Sequence, residues 1–330
     1  MLTLKIGFAG VGEMGRYLGA ICHEMDGIEV AAVVATSPSR ARDVAVGLGA
    51  DAFTDHREML SSVPVDALIV AMPSDTHHEI VQDAISAGVH VFCEKPLAHT
   101  VPQCDQLITV AEDAAVKIMV GYALRTMPLF ARIREILEQG RLGNPLAASL
   151  IRIEKPDLWG WYKHEQNVRI ILHEVGTHEL DLLRLWLGEV ESVQAHSAPQ
   201  TRRDIDYQDT VQVQLRFQSG AVGTLLLSWN SPLTAAQGHI VCEQGTLYYD
   251  WRSNNLLEYV ELNGELMSAT IQETEQNDGY RLELRSFFDW IRADTAPLVT
   301  AQDGRAAVEL AEAAYLSLKQ DEPVSLPLVP

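Results

Sequence analysis

Residues 4–15 read LKIGFAGVGEMG, a largely apolar run of six residues followed at once by a G-x-G-x-x-G sequence. The run predicts a short buried β-strand, and apolar residues at helical spacing from 18 to 25 predict a helix behind it. Glycines at this junction permit a tight turn, close approach of a pyrophosphate to the backbone, and close packing of helix on strand. The alternative is a plain glycine turn. The residues expected to contact a dinucleotide here are Gly10, Gly12, Glu13, Met14 and Gly15.

Strand and helix patterns alternate from this turn to Val120 and then stop alternating. The alternation predicts a doubly wound, Rossmann-type parallel sheet in an α/β fold. The later chain carries several successive strand patterns with hairpin signals at 219–220 and 244–245, which predict a C-terminal α+β domain with a large, mainly antiparallel sheet. We therefore expect a dinucleotide-binding domain at 1–121 and a domain for substrate binding and oligomerisation at 122–330.

The end of the second strand pattern bears on the choice of cofactor. An acidic residue there would hold a free ribose 2′-hydroxyl, but residues 33–42 read VVATSPSRAR. Small hydroxyl side chains and arginines suit a 2′-phosphate, which a carboxylate would repel. The sequence therefore favours NADP(H) over NAD(H), with Ser37 and Arg40 as contacts. The alternative is that Arg40 and Arg42 are solvated residues of the next helix.

A second unusual stretch follows the strand pattern at 89–93, where Glu94-Lys95-Pro96 places two opposite charges and a proline after buried residues. Ligands bind at the carboxyl ends of parallel strands, so Glu94 and Lys95 are expected at the site. A Lys-Pro bond adopts the cis form at modest cost, and a bend there would aim the Lys95 ammonium sideways into a cleft. The alternative is a solvated loop with a surface ion pair.

The order and spacing of these segments resemble the Gfo/Idh/MocA family of NAD(P)-dependent oxidoreductases. Besides the glycine turn, the resemblance rests on Pro73 with His77 four residues later, and on residues 88–97, which read GVHVFCEKPL. It extends to 121–128, to 173–188 and to 303–327. It implies that Lys95 lies beside nicotinamide and substrate, and that the open face of the second sheet forms an oligomer interface. The further cofactor contacts expected from these segments are Pro73, Ser74, His77, Glu94, Lys95, Pro96 and Arg125.

The segment 173–188 carries the second group of candidate catalytic residues. On a helix, Glu174, His178 and Asp181 stand at i, i+4 and i+7 and form one polar stripe. A histidine oriented by a carboxylate one turn away is suited to proton transfer near neutral pH. The alternative is a buried histidine satisfied by Glu174 or Asp181, with Asp181 paired to Arg184. His173 and His178 are five residues apart, which does not match a zinc protease motif, so no metal is expected.

Comparison with the family sharpens these roles. The family motif is Asp-x-x-x-His-x-x-Asp, which His178 and Asp181 match, whereas Glu174 replaces the first aspartate. The family also has glycines just before this helix, where residues 167–171 read NVRII. The resemblance implies that His178 transfers the proton, that Glu174 orients the His178 ring and that Lys95 stabilises the developing alkoxide. Lys95 and His178 are then expected to approach the same volume beside the nicotinamide.

The implied activity is hydride transfer between nicotinamide and a secondary alcohol or ketone of a sugar, inositol or related polyol. Two alternatives remain open: a glycosidase or epimerase that borrows and returns the hydride, and a cofactor-binding sensor without catalysis. Trp159 and Lys163 belong to a loop suited to stacking on, or hydrogen bonding to, a polyol; the alternative is aromatic packing against the cofactor domain. The residues expected to contact the substrate are Lys95, Tyr122, Trp161, Tyr162, Glu174 and His178.

The charge balance and the cysteine content limit the classes of molecule that the protein is expected to bind. Lys plus Arg number 25 against 45 Asp plus Glu, and the resulting net charge of −20 excludes nucleic acid and anionic membranes as expected partners. The same charge favours a neutral substrate over an anionic one. The 4 cysteines are far apart, without metal or disulfide spacing, which suits a reducing cytoplasm. No secretion signal or membrane span is expected. Family similarity suggests a homodimer or homotetramer.

Overall fold

The structure is a computed structural model, and it describes residues 3–158 and 160–328. The chain divides into two compact units. Residues 1–123 and 278–305 form the first unit, and residues 124–277 and 306–330 form the second. The described helices are α1 Glu13–Glu24, α2 Pro38–Leu48, α3 His56–Ser62, α4 His77–Ser86, α5 Val101–Asp113, α6 Pro128–Glu138, α7 Glu165–Val168, α8 Thr177–Leu187, α9 Gly279–Ala293 and α10 Ala301–Gln320.

The strands belong to two sheets, one in each unit. In the first unit they are β1 Leu4–Ala9, β2 Ile28–Val34, β3 Asp51–Phe53, β4 Ala67–Val70, β5 His90–Glu94 and β6 Ile118–Gly121. In the second unit they are β7 Pro145–Ile153, β8 Val190–Ser197, β9 Thr210–Phe217, β10 Val222–Ser228, β11 Ala235–Cys242, β12 Gly245–Asp250, β13 Leu256–Glu261, β14 Met267–Thr270 and β15 Val324–Ser325.

The first sheet is the parallel sheet that the alternation predicted. Its order is β3-β2-β1-β4-β5-β6, and every neighbouring pair is parallel. The strands are buried on both faces, as the fully buried residues Ile6, Phe8 and Leu68 illustrate. The order changes direction between β1 and β4, and the carboxyl ends of these strands form the edge where such folds bind ligands. The Rossmann-type prediction is confirmed.

The C-terminal segment 278–305 packs with the first unit, although the sequence analysis assigned all of 122–330 to the second domain. The physical reason is the amphipathic helix α9, whose Phe287 ring lies 5.8 Å from the ring of Phe92 on β5. After α9 the chain pairs once with the first sheet, through a bridge between Thr300 and Met119 on β6. The expected boundary therefore needs correction for this segment, because apolar side chains far apart in sequence share one core.

The second sheet has the order β14-β13-β12-β11-β7-β10-β9-β8-β15. It is mixed because β7 and β10 are parallel, but its other neighbouring pairs are antiparallel, as predicted. Burial alternates along β9, where Val211, Val213 and Leu215 are buried and the residues between them are exposed. Helix α8 packs on β7 and β10. Among the described residues, no helix is long and apolar enough to cross a membrane.

Candidate functional site

The glycine turn between β1 and α1 fits the requirements of a dinucleotide phosphate. Gly10 has φ +107°, and a Cβ there would lie 2.3 Å from the carbonyl oxygen of Ala71. A Cβ on Gly15 would lie 2.0 Å from the carbonyl oxygen of Gly10, so neither position accepts a side chain. Gly12 is exposed and a Cβ on it would meet nothing within 4 Å. The turn therefore leaves open space beside the N-terminus of α1, where a phosphate is stabilised.

Glu13 and Met14 follow in the first turn of α1, the former exposed and the latter half-buried. At the end of β2, Ser37 precedes α2 and its hydroxyl lies 2.9 Å from that of Ser39. Arg40 is exposed on α2, while Arg42 donates from Nε to the carbonyl oxygen of Pro38 at 3.1 Å. The cofactor contacts of Ser37 and Arg40 stay predictions.

His77 joins the loops that follow β4 and β5. Its ring is buried, with Nδ1 2.8 Å from the carbonyl oxygen of Pro96 and Nε2 2.9 Å from that of Met72. Pro73 and Ser74 lie in the same β4 loop, and the Ser74 hydroxyl lies 2.9 Å from Nε2 of His99. His77 therefore fixes the backbone around Pro96, and the cofactor contact expected of it stays a prediction. His99 went unnoticed because a single histidine beyond the Glu-Lys-Pro run carries no local signal.

Glu94 and Lys95 stand at the carboxyl end of β5, the ligand edge of the sheet. The Lys95–Pro96 bond is cis, and the Lys95 side chain is half-buried. Glu94 is buried and pairs in register with Gly121 of β6. Burial raises the pKa of Glu94 to about 7, and the Lys95 charge together with the Lys95 backbone N–H opposes that rise. This carboxyl therefore titrates in the physiological range, which sequence reasoning did not anticipate.

The segment expected to be one helix from residue 173 is a π-helical turn, Leu172–Gly176, followed by α8. The expectation that Glu174 and His178 share an α-helical register needs correction, since i, i+4 spacing assumes about 3.6 residues per turn. His173 and Glu174 are buried and His178 is half-buried. Burial raises the pKa of the Tyr207 phenol above its usual range, and Glu174 adds to the rise. The Glu174 carboxylate therefore acts electrostatically on Tyr207, a residue that sequence reasoning missed.

Asp181 pairs with Arg125, and both side chains are buried. The Arg125 guanidinium donates from Nε to Oδ2 at 2.7 Å and from Nη2 to Oδ1 at 2.6 Å. Arg184 of the same helix pairs with Glu189 at 2.7 Å, and the alternative pairing of Asp181 with Arg184 stays a prediction. The bidentate pair fixes α8 to the start of the second unit, and the cofactor contact expected of Arg125 stays a prediction.

Two residues before the π-helical turn have positive φ: Arg169 at +54° and Ile170 at +105°. Ile170 is fully buried, and a β-branched residue in this region is strained. The backbone thus adopts a glycine-like conformation without glycine, at the place where the family resemblance led us to expect glycines. Arg169 holds the segment from one side, with Nη2 3.3 Å from Oε1 of Glu312.

This strain predicts an inverted order of stability for two variants of Ile170. In the middle of a helix or strand, a protein with glycine is less stable to unfolding than the same protein with alanine, by about 0.5–1 kcal/mol. Here we expect Ile170→Gly to unfold at higher urea concentration than Ile170→Ala, by about 1 kcal/mol or more in free energy of unfolding, because only glycine relaxes at φ +105°. Both lose the branched part of the buried isoleucine side chain and differ only in the Cβ methyl that alanine keeps, so the pair is closely matched. Alanine being the more stable variant would show that residue 170 is not strained.

The loop that carries Trp161 and Tyr162 is held in place by hydrogen bonds to its backbone carbonyl oxygens. Trp161 and Tyr162 are half-buried in a short helical turn, Gly160–Lys163, with ring centroids 4.9 Å apart. The carbonyl oxygen of Tyr162 accepts a hydrogen bond from the Tyr207 hydroxyl at 2.6 Å, and that of Trp161 accepts from Asn167 Nδ2 at 2.9 Å. Trp159 lies outside the described residues.

Tyr122, another expected substrate contact, is fully buried in this structure at the end of β6. Its substrate role, like those of Trp161 and Tyr162, stays a prediction. Across residues 3–158 and 160–328, no group of three or more His, Cys, Asp or Glu side chains is arranged to hold a metal ion.

Comparison with known proteins decides the family. Residues 4–122 match the oxidoreductase family with an NAD-binding Rossmann fold, and residues 130–248 match the GFO/IDH/MocA C-terminal domain. The chain belongs to the Gfo/Idh/MocA family. The match confirms the resemblance inferred from the glycine turn and the Glu-Lys-Pro run. NAD(P) binding is the property of the family, and the glycine turn of this chain fits it.

Relatives in the Gfo/Idh/MocA family match the chain over nearly its whole length. It is 26% identical to the myo-inositol 2-dehydrogenase of Thermotoga maritima, with 98% of each chain covered. It is 25% identical to the 2,7-anhydro-N-acetylneuraminate hydratase of Mediterraneibacter gnavus, covering 99% of this chain and 97% of that protein. Among solved structures, GenD2 from gentamicin A biosynthesis in complex with NAD gives a TM-score of 0.89 at 25% identity, covering 99% and 97% of the two chains.

Proposed function

We propose that this protein is an NAD(P)-dependent dehydrogenase or reductase that transfers hydride between nicotinamide and a secondary alcohol or ketone of a sugar, inositol or related polyol. The observation that carries the proposal is Lys95, a half-buried lysine at the ligand edge of a sheet whose glycine turn fits a dinucleotide phosphate. The myo-inositol 2-dehydrogenase relative supports the polyol class. The net charge of −20 supports a neutral substrate.

In this proposal the nicotinamide supplies the hydride chemistry, and the protein supplies position, charge and proton transfer. The Lys95 ammonium stabilises the alkoxide that develops on the substrate oxygen. His178 takes the hydroxyl proton during oxidation and returns it during reduction. Glu174 orients His178, and the Arg125–Asp181 pair holds the helix that carries it. The cofactor contacts proposed are those of the glycine turn, the β4 loop and the Glu-Lys-Pro run.

The direct test is a turnover assay of the purified chain with NAD⁺ and NADP⁺ over a panel of inositols, aldoses and anhydrosugars. The expected result is reduced nicotinamide, followed by absorbance, for one group of related polyols and not for simple alcohols. Cofactor binding without turnover on any member of the panel would contradict the dehydrogenase proposal, and would favour a cofactor-binding sensor.

A second candidate function is supported by the hydratase relative in Mediterraneibacter gnavus. In this alternative the hydride is borrowed and returned, so that the net reaction is hydration, glycoside cleavage or epimerisation. The two candidates differ in stoichiometry. A dehydrogenase accumulates one reduced nicotinamide for each product, whereas the alternative forms product with catalytic cofactor and no net change in absorbance.

The cofactor preference is tested at the end of β2. If Ser37 and Arg40 bind a 2′-phosphate, the double variant Ser37→Asp/Arg40→Ala should raise KM for NADP⁺ by about tenfold or more, since a lost cation and a new carboxylate both oppose the phosphate. KM for NAD⁺ should change little. Arg42→Ala is the matched control, because Arg42 donates to the carbonyl oxygen of Pro38 within its own helix. A wild-type preference for NAD⁺ would contradict the NADP(H) assignment.

We also propose that the chain forms a homodimer or homotetramer through the open face of its nine-stranded sheet. Leu226 of β10 and Ile151 of β7 are register partners and half-buried, and Val222 on the same face is 52% exposed. Apolar residues at the centre of a sheet face mark an interaction surface. Leu226→Arg should convert the oligomer to monomer in light scattering. Val46→Arg, at an 84% exposed apolar position of α2, should not. A wild-type monomer would contradict the proposal.

A further inference from the structure

Two buried carboxyl groups of the first unit have no part in the hydride and proton transfers proposed above. Glu94 ends β5 and is 8% exposed, and Glu283 on α9 is 0% exposed. Among the described residues, Oε1 of Glu94 and both carboxyl oxygens of Glu283 have no hydrogen-bond partner. Buried polar groups are nearly always satisfied, so these three unsatisfied carboxyl oxygens require an explanation.

The surroundings of the pair are apolar apart from a few groups. Phe92 on β5 and Phe287 on α9 pack 5.8 Å apart, and the Glu94 carboxyl lies against Gly121, where a Cβ would come within 3.3 Å of it. The charged and titratable groups that act on the two carboxyls are Lys95 and Cys93, the chain neighbours of Glu94, and Asp278, which caps α9.

The two carboxyls also act on each other. Burial raises the pKa of Glu283 well above its usual range, and the Glu94 charge raises it further. Like charges in one buried site do not both ionise readily, so the pair retains at least one proton near neutral pH. Glu94 is the member that ionises first, because it has the Lys95 ammonium beside it and its pKa is about 7.

We propose that Glu94 and Glu283 form a proton-holding pair whose charge follows that of the nicotinamide ring. The proposal rests on the proposed function, which puts the cofactor at the carboxyl edge of the sheet that Glu94 ends. The oxidised ring carries one positive charge and the reduced ring carries none. A nearby cation stabilises a carboxylate, so binding of the oxidised cofactor drives a proton from Glu94 to solvent. Beside an uncharged reduced ring this stabilisation would be absent, and Glu94 would take a proton back from solvent.

The pair then has a function that explains why Oε1 of Glu94 and both carboxyl oxygens of Glu283 accept no hydrogen bond from the described residues. A carboxylate fixed by strong donors would remain ionised throughout, and could not respond to the cofactor. Glu283 stays neutral and keeps the site from carrying two charges. Near pH 7 the pair is therefore only partly ionised beside the uncharged reduced ring and almost fully singly charged beside the cationic oxidised ring, so its charge follows that of the cofactor.

The test measures protons, not turnover. Cofactor binding is followed by isothermal titration in two buffers of different ionisation enthalpy, at a pH near the Glu94 pKa of about 7. If the cation lowers that pKa by about one unit, NAD(P)⁺ should release roughly 0.4 proton more than NAD(P)H. Glu94→Gln should abolish this difference. Glu283→Gln should retain it, because glutamine matches the neutral carboxyl that Glu283 already presents.

Several outcomes overturn the proposal. Equal proton release for the oxidised and reduced cofactors does so, as does a difference that persists in Glu94→Gln or disappears in Glu283→Gln. If Glu94→Gln does not fold, the wild-type pH dependence decides: the difference must peak near pH 7 and vanish well below and well above it. The proposed function fails separately, through absence of cofactor binding in the wild type. Binding without linked proton release rejects only the proton-holding pair.

Discussion

Lys95→Ala is expected to lower kcat by about two to three orders of magnitude while cofactor affinity changes little, since removal of one donor to a developing oxyanion has an effect of this size. The lysine is half-buried at the end of β5, and no other residue of the Glu-Lys-Pro run carries a positive charge. The Lys95 ammonium would attract the developing alkoxide of the transition state more strongly than the neutral alcohol of the bound substrate. Its removal should therefore lower kcat more than it raises KM. Steady-state kinetics with nicotinamide absorbance measures both constants.

The matched control is Lys5→Ala. Lys5 is an exposed lysine on β1 of the same unit, and its ammonium lies 3.8 Å from the Glu29 carboxylate. It should leave kcat unchanged, which separates a local role of Lys95 from a general effect of net charge. Cofactor binding by Lys95→Ala, followed by nicotinamide fluorescence, verifies that the Rossmann unit remains intact. Near-normal kcat in Lys95→Ala would remove this lysine from the mechanism.

The second large effect is expected at Asp181. Asp181→Ala should lower the free energy of unfolding by about 3–5 kcal/mol, because it leaves the buried Arg125 guanidinium without its carboxylate. Both partners are almost fully buried, at 7% and 1% exposure, so solvent screening does little to reduce the cost. The measurement is urea unfolding followed by tryptophan fluorescence.

Two further variants test whether the loss in Asp181→Ala comes from the buried ion pair. Glu189→Ala breaks the Arg184–Glu189 pair, whose glutamate side chain is 59% exposed, and should cost less than about 1 kcal/mol. The double variant Arg125→Met/Asp181→Leu should recover most of the loss, because apolar residues of similar volume avoid the buried unpaired charge. Equal stabilities of Asp181→Ala and Glu189→Ala would contradict a structural role for the buried pair.

Local sequence patterns were sufficient for the architecture of the first sheet and for the family. The run at 4–15 contains a strand, a turn and the start of a helix, and nearby backbone carbonyl groups leave no room for a side chain at Gly10 or Gly15. Strand and helix periodicities depend on residues that are close in sequence, so both the parallel sheet and the mainly antiparallel sheet could be predicted from the sequence. Glu-Lys-Pro was visible because two charges and a proline after buried residues conflict with a simple strand.

Contacts between residues distant in sequence were decided by the fold alone. No local pattern pairs Arg125 with Asp181, or brings Glu283 to the end of β5, because these contacts depend on how helices pack after the sheets form. The same holds for α9, which follows the second sheet in sequence but packs on the first. Hydrophobic periodicity states which face of a helix is buried and not what covers it.

The segment before α8 shows most clearly that backbone geometry cannot be predicted from local sequence alone. Its sequence fits a regular helix with Glu174, His178 and Asp181 on one face, but the fold begins it with positive φ at Ile170 and a π-helical turn. Propensity disfavours both features, and only packing of the fully buried Ile170 and its neighbours can hold such a backbone. The identity of the proposed catalytic side chains was therefore readable from the chain, whereas their backbone geometry and the charge of the Glu94–Glu283 pair depend on burial in the folded protein.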